Sequence, residues 1–505
     1  MLRFSFFHAS LLLVPALAVA ACSSSPEPAA DGTGDAASVV SDAGSPPPFE
    51  VDAGCNPLSC PGDQGCRDNA CAEPTERQRT QLAAVVAMID TLDEHSAWHE
   101  PVDAARVKAD ARSAILKGDG SDLTYVTAAW RALNAYPQGH QGMLSDAPSV
   151  CGKVVPYQYQ SRFGVCGRPV TGGLVVTVAR ADNKLGLHAG DVVTAAAGDE
   201  GEALLEAAYL RPVCGGTFPS KEGRRHAGAV SFFGTIPSGA KLRVRAPDGT
   251  TREVVVPATA DTRLTDCTDV FSRARQLYAE ASVRPDGVAV IRLPSFWPWD
   301  KEAPTTEAEF TAFADAYRAE VVKVFQTVKN AKAIVWDARG NTGGITPVGL
   351  AIVGGFPSAR ATAISYCKSR TAGSDPPAYD AERYAEYQVT PGGPFAYAGK
   401  VAVLTDGLAY SAGDYFPLAV RKASDAILVG TSSAGAYGGG RAPIALAGPP
   451  SLEANYDPTA CFDAATNAPL EANPPPPTIA AEYVPADLAA GKDTVLERAV
   501  KALGF

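Results

Sequence analysis

One serine stands where a nucleophile could be held. Ser411 follows the apolar run KVAVLT and a Gly-Leu-Ala turn, and it precedes a stretch with the apolar spacing of a helix. A serine in this position is often simply the N-cap of the helix. It can also be a nucleophile, because its oxygen would lie near the positive end of the helix dipole. Since a neutral serine is a weak nucleophile, this second interpretation requires a base elsewhere in the chain.

A glycine-rich turn supplies a second element of an acyl-transfer site. In AKAIVWDARGNTGG an apolar strand is followed by Gly340, Gly343 and Gly344. Glycines let backbone N–H groups converge on one point without side-chain obstruction, as an oxyanion hole requires. The same residues can also form nothing more than a tight turn. We expect Asp337 and Arg339 in this segment to form a structural ion pair at the strand end.

The elements that must position these residues follow from the hydrophobic pattern. Apolar residues recur every three or four positions from 76 to about 138, which predicts helices. Short β-like runs occupy 155–258 and include a hairpin signal across Asp248-Gly249. After residue 285, apolar strands alternate with helices, which is typical of a buried sheet covered by helices. The pattern therefore predicts a multi-domain α/β protein.

Length and charge exclude some functional classes. With 505 residues, 46% of them hydrophobic, the chain can bury a substantial core and is long enough for two or more domains. The formal charge of −11 offers no basic surface for a phosphate backbone, so we do not expect a nucleic-acid partner. We predict neither a cofactor nor a bound metal, and the sequence does not reveal the oligomeric state.

The N-terminus predicts export. Arg3 precedes an apolar run that ends in small residues, the pattern of a secretory signal peptide over residues 1–21. The letters VAAC resemble the bacterial lipoprotein cleavage box, which implies a mature chain that begins with a lipidated Cys22; cleavage without lipidation is the alternative. Residues 22–54 are acidic and rich in Ser, Ala, Pro and Gly, and we expect a disordered tether. We therefore predict a protein anchored by lipid in a bacterial cell envelope, on the outer membrane or facing the periplasm.

The cysteine content supports an oxidising compartment. Eleven cysteines less Cys22 leave ten, an even number suited to disulfide bonds. Residues 55–75 form a small Cys-rich module that is either disulfide-bonded or metal-binding; its spacing lacks a CxxC pair, which favours disulfides. Cys151 and Cys166 are the nearest candidate pair outside it. The full set of candidates is Cys55, Cys60, Cys66, Cys71, Cys151, Cys166, Cys214, Cys267, Cys367 and Cys461.

The order of these motifs resembles the serine peptidase family of C-terminal processing (tail-specific) proteases and the tricorn protease core. In that family a strand with Asp-x-Arg-x-Asn-x-Gly-Gly precedes a Ser-Ala-x-Glu helix start, and a strand ending in glycine follows. This chain has DARGNTGG at 337, SAGD at 411 and ILVGTSSAG at 427. The resemblance runs from about residue 80 to the C-terminus, and it implies a ClpP/crotonase-like ββα-spiral catalytic core.

The base distinguishes two branches of this family. One branch uses a Ser-Lys dyad, but the corresponding position here is Ala436, with no lysine nearby. The tricorn-like branch takes a histidine from the end of the N-terminal helical region and a glutamate from a segment near the C-terminus. The matching residues are His140 in YPQGHQGM and Glu471 in LEANPPPPTI. The resemblance thus implies Ser411 as nucleophile, His140 as general base and Glu471 as the residue that supports the base.

The resemblance also implies an oxyanion hole, formed by the backbone N–H groups of Ala412 and of Gly343 or Gly344. Some positions depart from the family pattern. Gly139 occupies the place of the serine in the Ser-His pair, and Asp414 replaces the usual glutamate. These departures leave room for a degenerate enzyme.

The segment NKLGLHAGDVVTAAAGD resembles the middle of a PDZ domain, a fold that binds peptides by adding a strand to its sheet. An insertion near residues 210–234 interrupts the match. We accordingly divide the chain into a helical N-terminal region at 76–150, a PDZ-like domain at 151–262 and a peptidase core at 263–505.

Three functional classes compete. The first is an exported, lipid-anchored serine endopeptidase that cleaves polypeptides through an acyl-enzyme. The second is a catalytically inactive peptidase-like protein that binds a peptide or an apolar ligand in the old cleft. The third, an acyl-CoA-type crotonase, is disfavoured by export, because CoA is not expected outside the cytoplasm.

Overall fold

A computed structural model describes residues 65–67, 70–143, 150–259, 264, 266–268, 279–298, 304, 306–448 and 450–505. The predicted signal peptide, the tether and Cys22 lie outside these residues. The helices within the described part are α1 (Glu76–His95), α2 (Ala104–Lys117), α3 (Asp122–Asn134), α4 (Gly201–Tyr209), α5 (Lys221–Thr235), α6 (Glu307–Val328), α7 (Thr346–Gly354), α8 (Ala412–Ala423), α9 (Pro485–Ala489) and α10 (Thr494–Leu503).

The strands form five sheets within the described residues. Their bounds are β1 (Gly65–Arg67), β2 (Ala70–Ala72), β3 (Gly142–Met143), β4 (Val165–Val170), β5 (Gly173–Ala179), β6 (Val192–Ala196), β7 (Asp199–Glu200), β8 (Gly215–Gly216), β9 (Lys241–Arg245), β10 (Thr251–Val255), β11 (Glu280–Val283), β12 (Val288–Arg292), β13 (Ala333–Asp337), β14 (Thr362–Ser369), β15 (Ala385–Val389), β16 (Lys400–Thr405), β17 (Ile427–Gly430), β18 (Ala442–Leu446), β19 (Leu452–Tyr456), β20 (Thr459–Asp463) and β21 (Ile479–Ala480).

The central sheet has the order β11-β12-β13-β16-β17-β21, antiparallel at β11 and parallel elsewhere. Every residue of β13 is buried, because helices cover one face of the sheet, and α10 together with residues of β4, β5 and β6 covers the other. The carboxyl ends of parallel strands meet at one edge of a sheet. The turn after β13 and the turn after β16 therefore lie side by side.

The β domain is a largely antiparallel sheet of order β10-β9-β6-β5-β4, to which β7 adds beside β6. The expected hairpin across Asp248-Gly249 joins β9 to β10. One face of this sheet contacts the central sheet, and helices α4 and α5 pack on the opposite face. Helix α5 comes from the segment that interrupts the PDZ-like match. The PDZ-like character of this domain and the proposed domain boundaries remain predictions.

A small sheet joins three distant parts of the chain. Its order is β18-β19-β3-β8, and all pairs are antiparallel. Strand β3 follows directly on the end of the N-terminal helical region, β8 belongs to the β domain, and β18 and β19 belong to the C-terminal part. Hydrophobic patterning did not predict this sheet, because β3 and β8 have only two residues each.

The disulfide bonds link segments that are far apart in sequence. The bonds are Cys151–Cys214, Cys166–Cys267 and Cys367–Cys461, and Cys71 is also disulfide-bonded. The expectation of oxidised cysteines is confirmed for these seven. Cys151 and Cys166, the nearest candidates in sequence, are not bonded to each other: Cys166 lies on β4, whereas Cys151 lies beside the segment that leads into β8. Cys55, Cys60 and the Cys66 side chain lie outside what the structure describes.

Arg339 forms the expected ion pair after β13. Its guanidinium lies 2.7 Å from the carboxylates of both Asp337 and Asp493, and it donates to the Tyr483 hydroxyl at 3.0 Å. All of these groups are buried or nearly so. Burial alone would raise the pKa of Asp337, but Arg339 holds that pKa below its ordinary value. The pair fixes the strand end from which the glycine turn leaves.

No helix among the described residues is long and apolar enough to cross a membrane.

Candidate active site

Ser411 lies in a strained turn between β16 and α8. Its backbone has φ 59° and ψ −122°, and its side chain makes no capping hydrogen bond to the helix. Positive φ is uncommon for a residue with a side chain, and such strain is often held at functional sites. The backbone carbonyl of Ser411 accepts from the N–H groups of Asp414 and Tyr415 at 2.8 and 3.2 Å. Ser411 thus contacts the start of α8 through its backbone carbonyl, and its hydroxyl does not cap the helix.

The glycine turn packs directly on Ser411. Gly343 has φ 90°, and a Cβ at this position would lie 2.6 Å from Ser411 Cβ and 2.5 Å from Tyr410 O. Asn341 fixes the turn, because its amide donates to Leu293 O at 2.8 Å and its oxygen accepts from Gly343 N at 2.9 Å. Only glycine fits where the two turns meet.

The candidate oxyanion donors differ in whether their backbone N–H groups already donate a hydrogen bond. The N–H of Gly343 is bound to Asn341 Oδ1. Within the described part of the chain, the N–H groups of Ala412 and Gly344 donate no hydrogen bond to protein atoms. Gly344 has φ 128° and lies against the backbone of Phe296. Gly343 thus contributes the close approach to Ser411, whereas Ala412 and Gly344 carry unused donors.

His140 is held against the residue that precedes Ser411. The His140 N–H donates to the Tyr410 hydroxyl, and the two rings lie 5.0 Å apart between centroids. The side-chain amide of Asn455, on β19, donates to the His140 carbonyl. His140 has φ 62° and is buried. The end of the helical region is therefore brought to the Ser411 turn through Tyr410 and the small sheet.

Glu471 is buried and binds backbone rather than a side chain. Its carboxylate accepts from Gly139 N, from Tyr437 N at 2.9 Å and from Gly438 N at 3.2 Å. A Cβ at residue 139 would lie 2.7 Å from Glu471 Oε1 and 2.4 Å from the Ala436 Cβ, so there is no room for the family's serine. Glu471 therefore supports the turn that carries His140 and ties it to the 437–438 segment.

A second carboxylate, which the sequence reasoning missed, lies nearer the imidazole. Asp457 Oδ2 is 3.8 Å from His140 Nδ1, and the Asp457 side chain is fully buried. In the sequence, the only local signal at this residue is the segment Asp-Pro-Thr, a pattern that indicates a turn. The turn is present: Asp457 Oδ1 accepts from Thr459 N at 2.8 Å and from Gly440 N at 3.1 Å.

Burial shifts the pKa values of His140, Asp457 and Glu471 in the direction that favours the neutral form of each group. Burial, with Arg441 nearby, lowers the pKa of His140 to about 3. Burial raises the pKa of Asp457 to about 7. The pKa of Glu471 rises to about 8, through burial and then through the charge of Asp457. A neutral imidazole is the form that can accept a proton from a serine.

Asp414 joins α8 to the segment that bears Ala436. Its two carboxylate oxygens accept separately from Gly435 N at 2.7 Å and from Ala436 N at 3.1 Å. Burial raises the pKa of Asp414 to about 7. Ala436, the position of the lysine in the other branch, is buried here. Lys422, a lysine on α8, does not take the place of that base, because its ammonium group is paired with Asp463 at 2.9 Å.

A cavity of about 350 Å³ opens beside the imidazole. Its lining includes His140, Tyr410 and Thr342, and Phe218 and Tyr157 contribute aromatic surface. A cavity of this size can accept a side chain of a polypeptide. Among the residues that the structure describes, no group of histidine, cysteine and carboxylate side chains is arranged to hold a metal ion.

A protein-family model matches the central part of the chain. Residues 287–448 match the family model of peptidase family S41. No curated protein sequence matches the chain at a significant level.

Several solved structures are similar to this chain at low sequence identity. Mature CPAF complexed with lactacystin has a TM-score of 0.59 and 15% identity, over 85% of this chain and 98% of that chain. A second structure of mature CPAF gives 0.58 and 15%, over 85% and 97%. The photosystem II D1 C-terminal processing protease gives 0.39 and 13%, over 86% and 98%. The similarity to CPAF shows that the mixed α/β multi-sheet fold is shared.

Proposed function

Because the chain carries a peptidase family S41 domain and is a serine peptidase by family, we propose that it is an exported, lipid-anchored endopeptidase that cleaves polypeptides through an acyl-enzyme. Ser411 is the nucleophile, His140 the base, and Glu471 supports the base. The roles of these three residues and the location in the cell envelope go beyond what the family match gives.

The observation that carries the proposal is the geometry of Ser411. Its hydroxyl is released from helix capping, its backbone is held in a strained conformation, and the Gly343 turn packs on it. A helix-capping serine would instead have an extended backbone, and its side-chain oxygen would accept a hydrogen bond from a helix N–H group. Strain at an uncapped serine, beside a turn with unused N–H donors, supports nucleophilic catalysis.

The chemistry proceeds by two acyl transfers. As Ser411 Oγ bonds to the scissile carbonyl carbon, its proton passes to His140, and the carbonyl oxygen gains the negative charge. The N–H groups of Ala412 and Gly344 would stabilise this oxyanion, a contribution of about 10²–10³ in rate per donor. His140 then protonates the leaving amine as the C–N bond breaks. Water repeats the sequence and releases the acyl group from Ser411.

The test combines labelling with turnover. We expect a fluorophosphonate probe to label Ser411 in the parent protein, and Ser411→Ala to lose both labelling and cleavage of an unstructured protein. His140→Ala should lose nearly as much, because nucleophile and base fail together. Ser433→Ala, which changes another buried serine, serves as the matched control for each readout.

The competing class, an inactive binding protein, predicts a different outcome. A folded parent protein that neither takes up the probe nor cleaves any unstructured substrate from pH 5 to pH 9 would establish that class instead. The departures at Gly139 and Asp414 are its sequence basis.

Anchoring is proposed from the N-terminal sequence. VAAC ending at Cys22 supports acylation of that cysteine and location in the bacterial envelope. Mass spectrometry should find a fatty-acylated N-terminus, and Cys22→Ser should release the protein from membranes. Membrane association that survives this substitution would contradict the anchor without bearing on catalysis.

A further inference from the structure

We propose that Asp457 is the positioning residue for His140, accepting a hydrogen bond from His140 Nδ1 while Nε2 takes the proton of Ser411. The inference rests on the proposed function, because it concerns the base of the same site. It assigns to Asp457 the contact with the imidazole that the family resemblance assigns to Glu471.

Two unpartnered atoms carry the inference. His140 Nδ1 and Asp457 Oδ2 are both fully shielded from solvent, and within the described residues neither has a hydrogen-bond partner. Buried polar atoms nearly always have one. These two lie 3.8 Å apart, and an N–H···O bond spans about 2.7–3.2 Å. A shift of the imidazole by less than about 1 Å would complete the bond.

The carboxylate is oriented for this contact. Asp457 Oδ1 accepts from three donors: Thr459 N at 2.8 Å, Thr459 Oγ1 at 2.5 Å and Gly440 N at 3.1 Å. Because Oδ1 is fully used, Oδ2 is the oxygen that must face His140. The backbone of Gly438 packs behind it, since a Cβ at that residue would lie 2.0 Å from Oδ2.

Glu471 is less suited to the role. Its two oxygens accept from the backbone of Gly139, Tyr437 and Gly438. It holds the backbone that carries the imidazole, whereas Asp457 faces the ring.

The ionisable groups around the His140 imidazole make its contact with Asp457 sensitive to pH. Burial is the largest cause of both pKa shifts; the charge of Arg441 adds to the lowering at His140 and partly opposes the rise at Asp457. Glu471 lies close to Asp457, and the Tyr410 ring packs on the imidazole. A protonated Asp457 would donate to Nδ1 and leave the proton of the ring on Nε2, where it blocks transfer from Ser411. An ionised Asp457 accepts from Nδ1–H and leaves the Nε2 lone pair free. Since the raised pKa of Asp457 is about 7, the competent tautomer becomes dominant as pH rises through that value.

Asp457→Asn tests the contact sharply. The three donors at Oδ1 hold an oxygen in that position, so the amide nitrogen of the variant must face His140 Nδ1. It can only donate there, which fixes the ring as the Nε2–H tautomer. Nitrogen-15 NMR of labelled histidine, with the signal assigned by His140→Ala, should show mainly Nδ1–H above pH 8 in the parent and Nε2–H in the variant.

Kinetics give the second readout. Asp457→Asn should lower kcat by about 10²–10⁴-fold with little change in KM, as expected when the tautomer of a serine-activating histidine is wrong. The rise of kcat with pH near 7 should disappear in this variant. Glu471→Gln should keep both that rise and the Nδ1–H tautomer.

A second pair of variants covers the case in which Asp457→Asn does not fold. Gly438→Ala keeps the carboxylate and displaces it, whereas Gly439→Ala adds the same methyl with nothing within 4 Å. Neither glycine has positive φ among the described residues, so the backbone accepts alanine at both. We expect the first substitution to change the tautomer and lower kcat, and the second to do neither.

The outcomes separate the two proposals. An unchanged tautomer in Asp457→Asn, with a changed one in Glu471→Gln, would overturn the assignment to Asp457 and leave the peptidase standing. If the protein proves inactive, the NMR comparison still decides whether Asp457 holds the ring. An imidazole whose tautomer follows neither carboxylate would also overturn the inference.

Discussion

One methyl group added at Gly343 should lower kcat/KM by at least about 10²–10³-fold while leaving the fold in place. The added carbon of Gly343→Ala would lie 2.5 Å from Tyr410 O, 2.6 Å from Ser411 Cβ and 3.1 Å from Ala412 N. All three distances are shorter than ordinary van der Waals contact, and two of the three atoms belong to backbone. The Ser411 turn must therefore move, and with it both the Ser411 side chain and the N–H group of Ala412.

The magnitude has two parts that can be measured separately. Alanine at φ 90° costs about 1–2 kcal/mol of folding free energy. Gly393→Ala carries a similar backbone strain, at φ 86°, with nothing within 4 Å of the new carbon. Misalignment of one oxyanion donor costs about 10²–10³ in kcat. We expect both variants to lose stability and Gly343→Ala alone to lose at least that factor in kcat/KM.

The assay is cleavage of an unstructured protein, together with the rate of fluorophosphonate labelling and urea unfolding of each variant. Working below the unfolding transition ensures that both variants are folded. Equal kcat/KM for Gly343→Ala and Gly393→Ala would refute the argument that this turn shapes the site.

Two further predictions concern buried charges. Asp414→Asn would set an amide nitrogen against one of the two N–H groups of 435–436, and urea unfolding should show a loss of about 1–3 kcal/mol. Arg339→Met leaves two buried carboxylates unpaired and should cost about 3–5 kcal/mol, whereas the exposed pair tested by Arg360→Met should contribute about 0–1 kcal/mol. Because Arg339 lowers the pKa of Asp337, the parent should lose stability as pH falls through that pKa, and Arg339→Met should lack this acid-dependent loss.

The neighbourhood of Ser411 could be predicted because it depends on local sequence and on a general rule. Apolar strands alternating with helices imply a parallel sheet, and the carboxyl ends of β13 and β16 must then meet. The meeting of the glycine turn with Ser411 follows from that rule. His140 and Glu471 came from the family resemblance, since no local pattern links residues so far apart.

Asp457 and the disulfide pairing could not be predicted, because both depend on strand pairing between distant segments. Asp457 is brought to the imidazole by the pairing of β19 with β3, and the latter is too short to show a periodic pattern. Cys151 and Cys166 are near in sequence, but each is drawn to a different partner segment. Nearness along the chain carries little information once segments enter different sheets.

The segment that matches the family model does not contain the whole proposed site. Residues 287–448 contain Ser411 and the glycine turn, but His140, Asp457 and Glu471 all lie outside them. Under the proposed assignment, a fragment cut to those limits would keep Ser411 but lack His140, the proposed base. During synthesis, likewise, the site cannot close until the C-terminal part has left the ribosome and β19 has paired with β3. Contacts spanning over 300 residues form late in folding. A nascent or truncated chain would therefore be inert toward neighbouring proteins, and activity would report that the whole chain has folded.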